Sequence, residues 1–235
     1  MSLELISIHV PKAAGTSLTR ALQRHFGPTL LLDYGRNPFQ SPEPAPVKVG
    51  PEVRAVHGHF HAGRYTSARK AFSFTFLREP VDNLISIYFY WKSLPAAPMA
   101  LHQRFQAERP SLLEFARYPA VSELGRLFFG GFDMGRLDFI GFYETRTADL
   151  TALTRLTGID FDPLLRVNRT NPLFDQAREA VKADATQMGE LRGLLAEDVA
   201  FYEAALERRG GAAPPASPAQ HIPGASDPFG PPPKA

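Results

Sequence analysis

The chain has 235 residues, 44% of them hydrophobic, enough to bury one sizeable core. It contains no cysteine, which excludes a disulfide framework and a thiolate zinc site. Net charge is only +2, yet residues 1–110 hold 13 Lys+Arg against 7 Asp+Glu and six of the seven histidines; a basic half suits an anionic ligand as well as it suits ordinary surface scatter.

The segment Leu3-Glu4-Leu5-Ile6-Ser7-Ile8 opens directly on a strand-like pattern, without a basic and then apolar leader. No uncharged apolar run reaches the length of a bilayer span, and the basic residues come singly, without a nucleic-acid stripe. The expectation is a soluble cytoplasmic protein with no nucleic-acid partner.

Residues 3–10 read as a buried strand, broken by Pro11 and Gly15. Thr16 or Ser17 is expected to cap a helix through about Phe26. Residues 29–33 form a short apolar strand, and 35–51, with five prolines, a surface loop. Residues 53–59 make a third strand, followed by a helix-like stretch around Tyr65. The aromatic and β-branched run 71–77 makes a fourth strand. Pro80 opens a helix to about Lys92, with Leu84, Tyr88 and Trp91 on one face. Helices around 98–108 and 111–129, a strand over 138–143 and a helix over 145–157 ended by Gly158 follow. A long last helix is expected over roughly 173–208, because Met188, Leu191, Leu195, Val199, Tyr202 and Leu206 step by three and four. Residues 209–235 are Pro-rich and read as a disordered tail behind a single domain, 1–208. Alternating strands and helices imply an α/β fold with a mostly parallel sheet, whose ligands lie at the carboxyl ends of the strands.

Three motifs lie at such ends. In the first, a strand feeds a turn and then a helix start, which aims backbone N–H groups and the positive helix end at an anion. Lys12 adds a point charge, and Thr16 and Ser17 add hydroxyls. The lysine precedes the glycine, unlike the order of a Walker loop. His9-Val10-Pro11-Lys12-Ala13-Ala14-Gly15-Thr16-Ser17 closely resembles the 5' phosphosulfate loop of the carbohydrate sulfotransferases. In that family the lysine contacts the transferring group and the leaving phosphate. In the second motif, Phe76-Leu77-Arg78-Glu79-Pro80 ends a strand and opens a helix, and Ser86 stands about 9 Å of helical rise beyond Pro80. A guanidinium forks onto phosphate oxygens and a serine hydroxyl donates to the same group. The pair, followed by Tyr88 and Tyr90, resembles the 3'-phosphate signature of sulfotransferases. Tyr88, Phe89, Tyr90 and Trp91 are read mainly as core.

The third motif is His57-Gly58-His59-Phe60. Alternation places both imidazoles on one face, a little under 7 Å apart along the strand, and Gly58 allows close approach of a substrate or cofactor backbone. An acceptor hydroxyl must lose its proton as it attacks, and imidazole is suited to that near neutral pH. The motif resembles that of the heparan and dermatan sulfate 2-O-sulfotransferases, which implies His59 as general base and His57 as its support. A rival reading makes His57, His59 and His61 zinc ligands, but no further ligands announce themselves. Residues 138–144 and 197–202 resemble later architectural units of the family. Residues 166–172 stand where related enzymes fold a loop over the nucleotide. Asn168-Arg169-Thr170 is formally a glycosylation sequon, expected to go unused.

The resemblance spans roughly residues 3–206 and implies a P-loop-NTPase-like, three-layer α/β fold with a central sheet flanked by helices. It implies a PAPS (3'-phosphoadenosine 5'-phosphosulfate)-dependent sulfotransferase, of a soluble, bacterial-like kind. A sulfuryl group would pass in line to a hydroxyl acceptor, a carbohydrate by the histidine motif, with lipid, small-molecule and tyrosine hydroxyls open. PAP would depart, and no metal would be needed. Lys12, Ala13, Ala14, Gly15, Thr16, Ser17, Arg78 and Ser86 would bind the cofactor, and Lys12, His57 and His59 would act in transfer. A P-loop kinase using residues 29–33 as a Walker-B-like strand, and a PAP-binding module without turnover, are the alternatives.

Overall fold

The computed structural model describes residues 3–35, 38, 46–95, 99–163 and 172–211. The expected tail beyond residue 211, the sequon and nearly all of the 166–172 loop lie outside them. Five strands pair, all in parallel, in the order β2-β3-β1-β4-β5. These are β1 (Leu5–His9), β2 (Leu30–Asp33), β3 (Ala55–Gly58), β4 (Phe72–Leu77) and β5 (Phe139–Phe142). The α/β class and the parallel sheet flanked by helices are therefore as expected. In β1, Leu5, Ile6, Ser7 and Ile8 are all buried, because helices cover the sheet and leave no wet face for alternation.

The chain leaves central β1 for β2 and β3 on one side, then crosses to β4 and β5 on the other. That reversal opens a crevice at the carboxyl end of β1, where open parallel sheets place their ligands. The ends of β1, β3 and β4 are the places occupied by the three motifs.

Helix α1 (Gly15–Phe26) follows β1, and α2 (Pro80–Ser93) follows β4 with Pro80 at its first position. Residues Val81 and Asn83 to Phe89 of α2 are all buried, so this helix lies inside the domain and shows no solvated face there. Helix α3 (Ala100–Glu108) comes next. The expected helix over 111–129 is instead three short ones: α4 (Leu112–Phe115), α5 (Pro119–Ser122) and α6 (Leu124–Phe129). Pro119 cannot continue the preceding turn, and Glu123 (φ −133°, ψ 38°) leaves helical geometry between α5 and α6.

After β5, helix α7 (Arg146–Thr157) ends on left-handed Gly158 as expected. The long last helix is also broken into three: α8 (Asp175–Ala183), α9 (Ala185–Leu194) and α10 (Ala196–Gly211). Asp184 is the cause of the first break, since its carboxylate accepts from the Gln187 N–H and caps a new helix. The apolar stripe from Met188 to Leu206 runs through the second break, at Leu195, which is why periodicity alone reads that stretch as continuous. No described helix is long and apolar enough to cross a membrane.

Candidate functional site

The loop after β1 is strained in a specific way. Lys12 (φ 59°) and Ala14 (φ 70°) both sit in the left-handed region, where a side chain costs about 1–2 kcal/mol. Alternating hand turns successive N–H groups toward one point, the arrangement of an anion nest. Ala14, not Thr16 or Ser17, is the N-cap of α1. The Ser17 hydroxyl donates back to the Ala14 carbonyl (2.8 Å), and the Ser17 N–H does likewise (3.2 Å). The Ala13 N–H closes a turn on the Val10 carbonyl (3.3 Å). Ala13 and Ser17 thus have hydrogen bonds that hold the loop itself. Gly15 is needed for packing: a Cβ there would lie 1.6 Å from Nε2 of His9.

Lys12 leaves the loop toward α2, with its ammonium 4.1 Å from the centre of the Tyr90 ring. Tyr90 therefore belongs to the site wall rather than to the core alone. The Arg78 guanidinium donates to the Lys12 carbonyl (3.4 Å) and lies 4.3 Å from the Tyr143 ring centre. The first two motifs, 66 residues apart, are brought into contact. Burial, and then the charges of Arg78 and Arg178, push Lys12 down to about 8. Nε of Arg78 is buried and has no hydrogen-bond partner, a costly state for a cationic donor. A phosphate oxygen would fit it. Ser86 is buried two turns into α2. Glu144 fixes the start of α2 by accepting from the Glu79 N–H (2.9 Å) and the Tyr202 hydroxyl (2.8 Å), so the expected architectural segments hold Arg78 in place.

The third motif folds against the other flank of the loop. His57 is fully buried. The Thr19 hydroxyl lies 2.8 Å from the Gly15 carbonyl, to which it donates, and 2.9 Å from His57 Nε2. His57 Nδ1 pairs with the Ser7 hydroxyl (2.9 Å). Both nitrogens are engaged, and burial pushes His57 down to about 3. It is a neutral brace between the sheet and the loop. His59 differs. Its Nδ1 lies 2.6 Å from the His9 carbonyl, which can only accept, so Nδ1 carries the hydrogen and Nε2 carries the lone pair. Burial lowers its pKa below 6.5, so the ring is neutral at pH 7.

Sequence reading did not single out His9. Its ring stacks on His57 (centroids 5.1 Å) and lies 4.3 Å from that of His59, forming the middle of a column of three. His9 Nδ1 pairs with the Tyr34 hydroxyl (3.0 Å), and the Tyr34 ring meets His59 edge-on. The available signal was position: in parallel neighbours, Ile8 pairs with Gly58, so the histidine after each residue ends beside the other. Gly58 has a different role from the expected one. A Cβ there would lie 1.9 Å from the Asp33 carbonyl, so its bareness admits the neighbouring strand and not a ligand.

The rival readings lose their residues to internal bonds. His61 accepts from the Gly63 N–H at Nδ1 and meets the Gly130 carbonyl at Nε2, so it is not arranged as a metal ligand beside His57. Asp33 stands on the edge strand β2, with its carboxylate held by Arg64 (2.7 Å) and the Tyr65 hydroxyl (2.6 Å), so no Walker-B role is open to it.

No curated protein sequence matches the chain. Among solved structures it is similar to mouse sulfotransferase SULT7A1 complexed with PAP, at 15% identity and TM-score 0.35, over 81% of this chain and 66% of that one. It is also similar to a sulfotransferase from Alicyclobacillus acidocaldarius, at 16% identity and TM-score 0.39, over 83% of this chain and 96% of that one. The chain thus spans about two thirds of the mouse protein's length. Residues 2–109, which carry the first four strands, the loop and every residue expected to act or to bind the cofactor, match the model of the Sulfotransferase family.

Proposed function

We propose that the protein is a PAPS-dependent sulfotransferase acting on a hydroxyl acceptor, a carbohydrate by the His57-Gly58-His59 motif. The observation that carries the reading is the meeting of Lys12 and Arg78 over a strained helix mouth, with a buried Arg78 donor unmet. Such a cluster is destabilising until a multiply charged anion enters. The match of residues 2–109 to the Sulfotransferase family supports the same class.

PAPS, when bound, supplies the sulfuryl group and leaves as PAP. The helix mouth at Ala14 and Gly15 holds the 5' phosphate, and Arg78 and Ser86 hold the 3' phosphate. Nε2 of His59 takes the acceptor proton as the new O–S bond forms and the old S–O bond breaks. The His9 carbonyl keeps that ring in the tautomer with its lone pair at Nε2 and holds it as it becomes cationic. Lys12 neutralises the charge that builds on the leaving oxygen, which needs fixed donors already in place. Tyr90 limits its wandering.

The test is calorimetric titration with PAP, 5'-AMP and ATP, followed by transfer of label from PAPS to a panel of sugar, lipid and phenolic hydroxyls. Tighter binding of PAP than of 5'-AMP is expected, with transfer to a sugar hydroxyl. Failure to distinguish PAP from 5'-AMP would sink the assignment. A PAP preference without transfer to any acceptor would leave a binding module.

A further inference from the structure

Arg178, in the middle of α8, was not among the expected site residues. Its Nε is buried and has no hydrogen-bond partner, the same condition as Nε of Arg78, and one of its terminal nitrogens meets Asp175 at 3.2 Å. Its charge acts on both Lys12 and Arg78. Two features locate it further. At one end of α8, the Phe174 ring packs 5.6 Å from that of Phe89. At the other end, Lys182 pairs with Asp82 at 2.8 Å. Moving up α8 from Phe174 to Lys182 therefore moves back along α2 from Phe89 to Asp82, so the two helices run antiparallel.

Residues three and four apart share a helix face. Phe174, Arg178 and Lys182 are spaced by four and share one face of α8. Asp82, Ser86 and Phe89 are spaced by four and three and share one face of α2. The Phe174–Phe89 and Lys182–Asp82 contacts tie these faces at both ends, and interpolation between them at about 1.5 Å of rise per residue sets Arg178 level with Ser86. Arg78 stands four residues before Asp82, at the same end of the seam.

Resting on the functional reading above, we propose that Arg178 is a specificity residue for the cofactor's 3' phosphate, closing from α8 the site that Arg78 and Ser86 open from β4 and α2. A planar guanidinium on each side of one phosphate supplies forked donors that a single arginine and a serine do not, and unites the two unmet donors on one ligand.

The experiment is calorimetry of the full chain with PAP and with 5'-AMP, on wild type, Arg178→Gln and Arg178→Lys, with melting temperatures of the ligand-free proteins. Arg178→Gln is expected to cut the preference for PAP over 5'-AMP by ~10-fold or more, with 5'-AMP affinity unchanged. Arg178→Lys restores part of that preference. The ligand-free Arg178→Gln protein melts at or above the wild-type temperature, because a crowded cation has been removed. A wild-type preference that survives intact in Arg178→Gln overturns the role of Arg178 alone. An equal loss for both nucleotides also overturns it, by moving the residue to the 5' side or, with a lowered melting temperature, to a structural role. A wild type that does not distinguish the two nucleotides overturns the functional reading instead.

Discussion

The two flanks of the β1–α1 loop are built on opposite terms. On the histidine flank, partners come from inside the protein. Ser7 and Thr19 engage both nitrogens of His57, the His9 carbonyl fixes His59, and Tyr34 holds His9. On the cationic flank, Lys12 and Arg78 crowd together with Arg178 nearby, and two buried guanidinium nitrogens lack partners. The first flank is complete without ligand, and its rings are neutral, as a proton acceptor must be. The second is left with buried donors that an anion would satisfy. Catalysis by preorganised groups needs both kinds of construction: a base that does not drift, and charges already in place before the anion arrives.

The comparison breaks most sharply at His59. His59→Ala is expected to lower transfer by ~10²–10⁴-fold while leaving PAP affinity within a factor of two or so. Parallel loss of PAP binding would place His59 on the cationic flank instead. His57→Ala acts on stability, since it strands the buried Ser7 hydroxyl and leaves a cavity where the ring was; a loss of about 3 kcal/mol in denaturant unfolding is expected. Unchanged stability would mean that His57 is not a brace.

The same flank sets a pH signature. His57 titrates at about 3 in the folded chain against an ordinary 6.5, and His9 and His59 are lowered as well. Between those values the unfolded chain binds more protons, so stability falls as pH falls from 6.5 toward 3. Asp198, raised by burial to about 6 from 3.8, opposes this below about pH 6. The onset near 6.5 therefore belongs to the histidines, and His57→Ala should weaken it. In the free enzyme Lys12 loses its charge near pH 8, which gives kcat/KM an alkaline limb there, with the acid limb of His59 below 6.5. A profile flat from pH 7 to 9 would contradict the Lys12 assignment, and one with no acid limb at all would contradict that of His59.

On the cationic flank, Arg78→Ala should weaken PAP by ~10–100-fold and 5'-AMP much less. The smallest effect is at Ala14→Gly. Glycine adopts the left-handed conformation freely, so the change should stabilise the protein by up to about 1 kcal/mol with transfer retained. Destabilisation would show that the loop is not strained as its dihedral angles imply.

Chemistry that sits within one strand–turn–helix unit was legible from residue order. Lys12 before Gly15, Arg78 eight residues before Ser86, and the paired histidines all mark strand ends, and parallel strands gather such ends at one edge. Helix breaks were legible only in part, because the apolar stripe from Met188 to Leu206 continues through the break at Leu195, and the capping bond of Asp184 depends on backbone geometry. The packing between elements was decided by tertiary structure alone. That His57 braces while His59 presents a lone pair follows from Ser7, Thr19 and the His9 carbonyl, 38 to 50 residues away. That the charge of Arg178 acts on Lys12 and Arg78 follows from how Phe174–Phe89 and Lys182–Asp82 tie α8 to α2. Local order specifies which groups are available for an anion and a proton; the sheet order and the helix seam determine which of them face each other, because those contacts join residues that no local pattern relates.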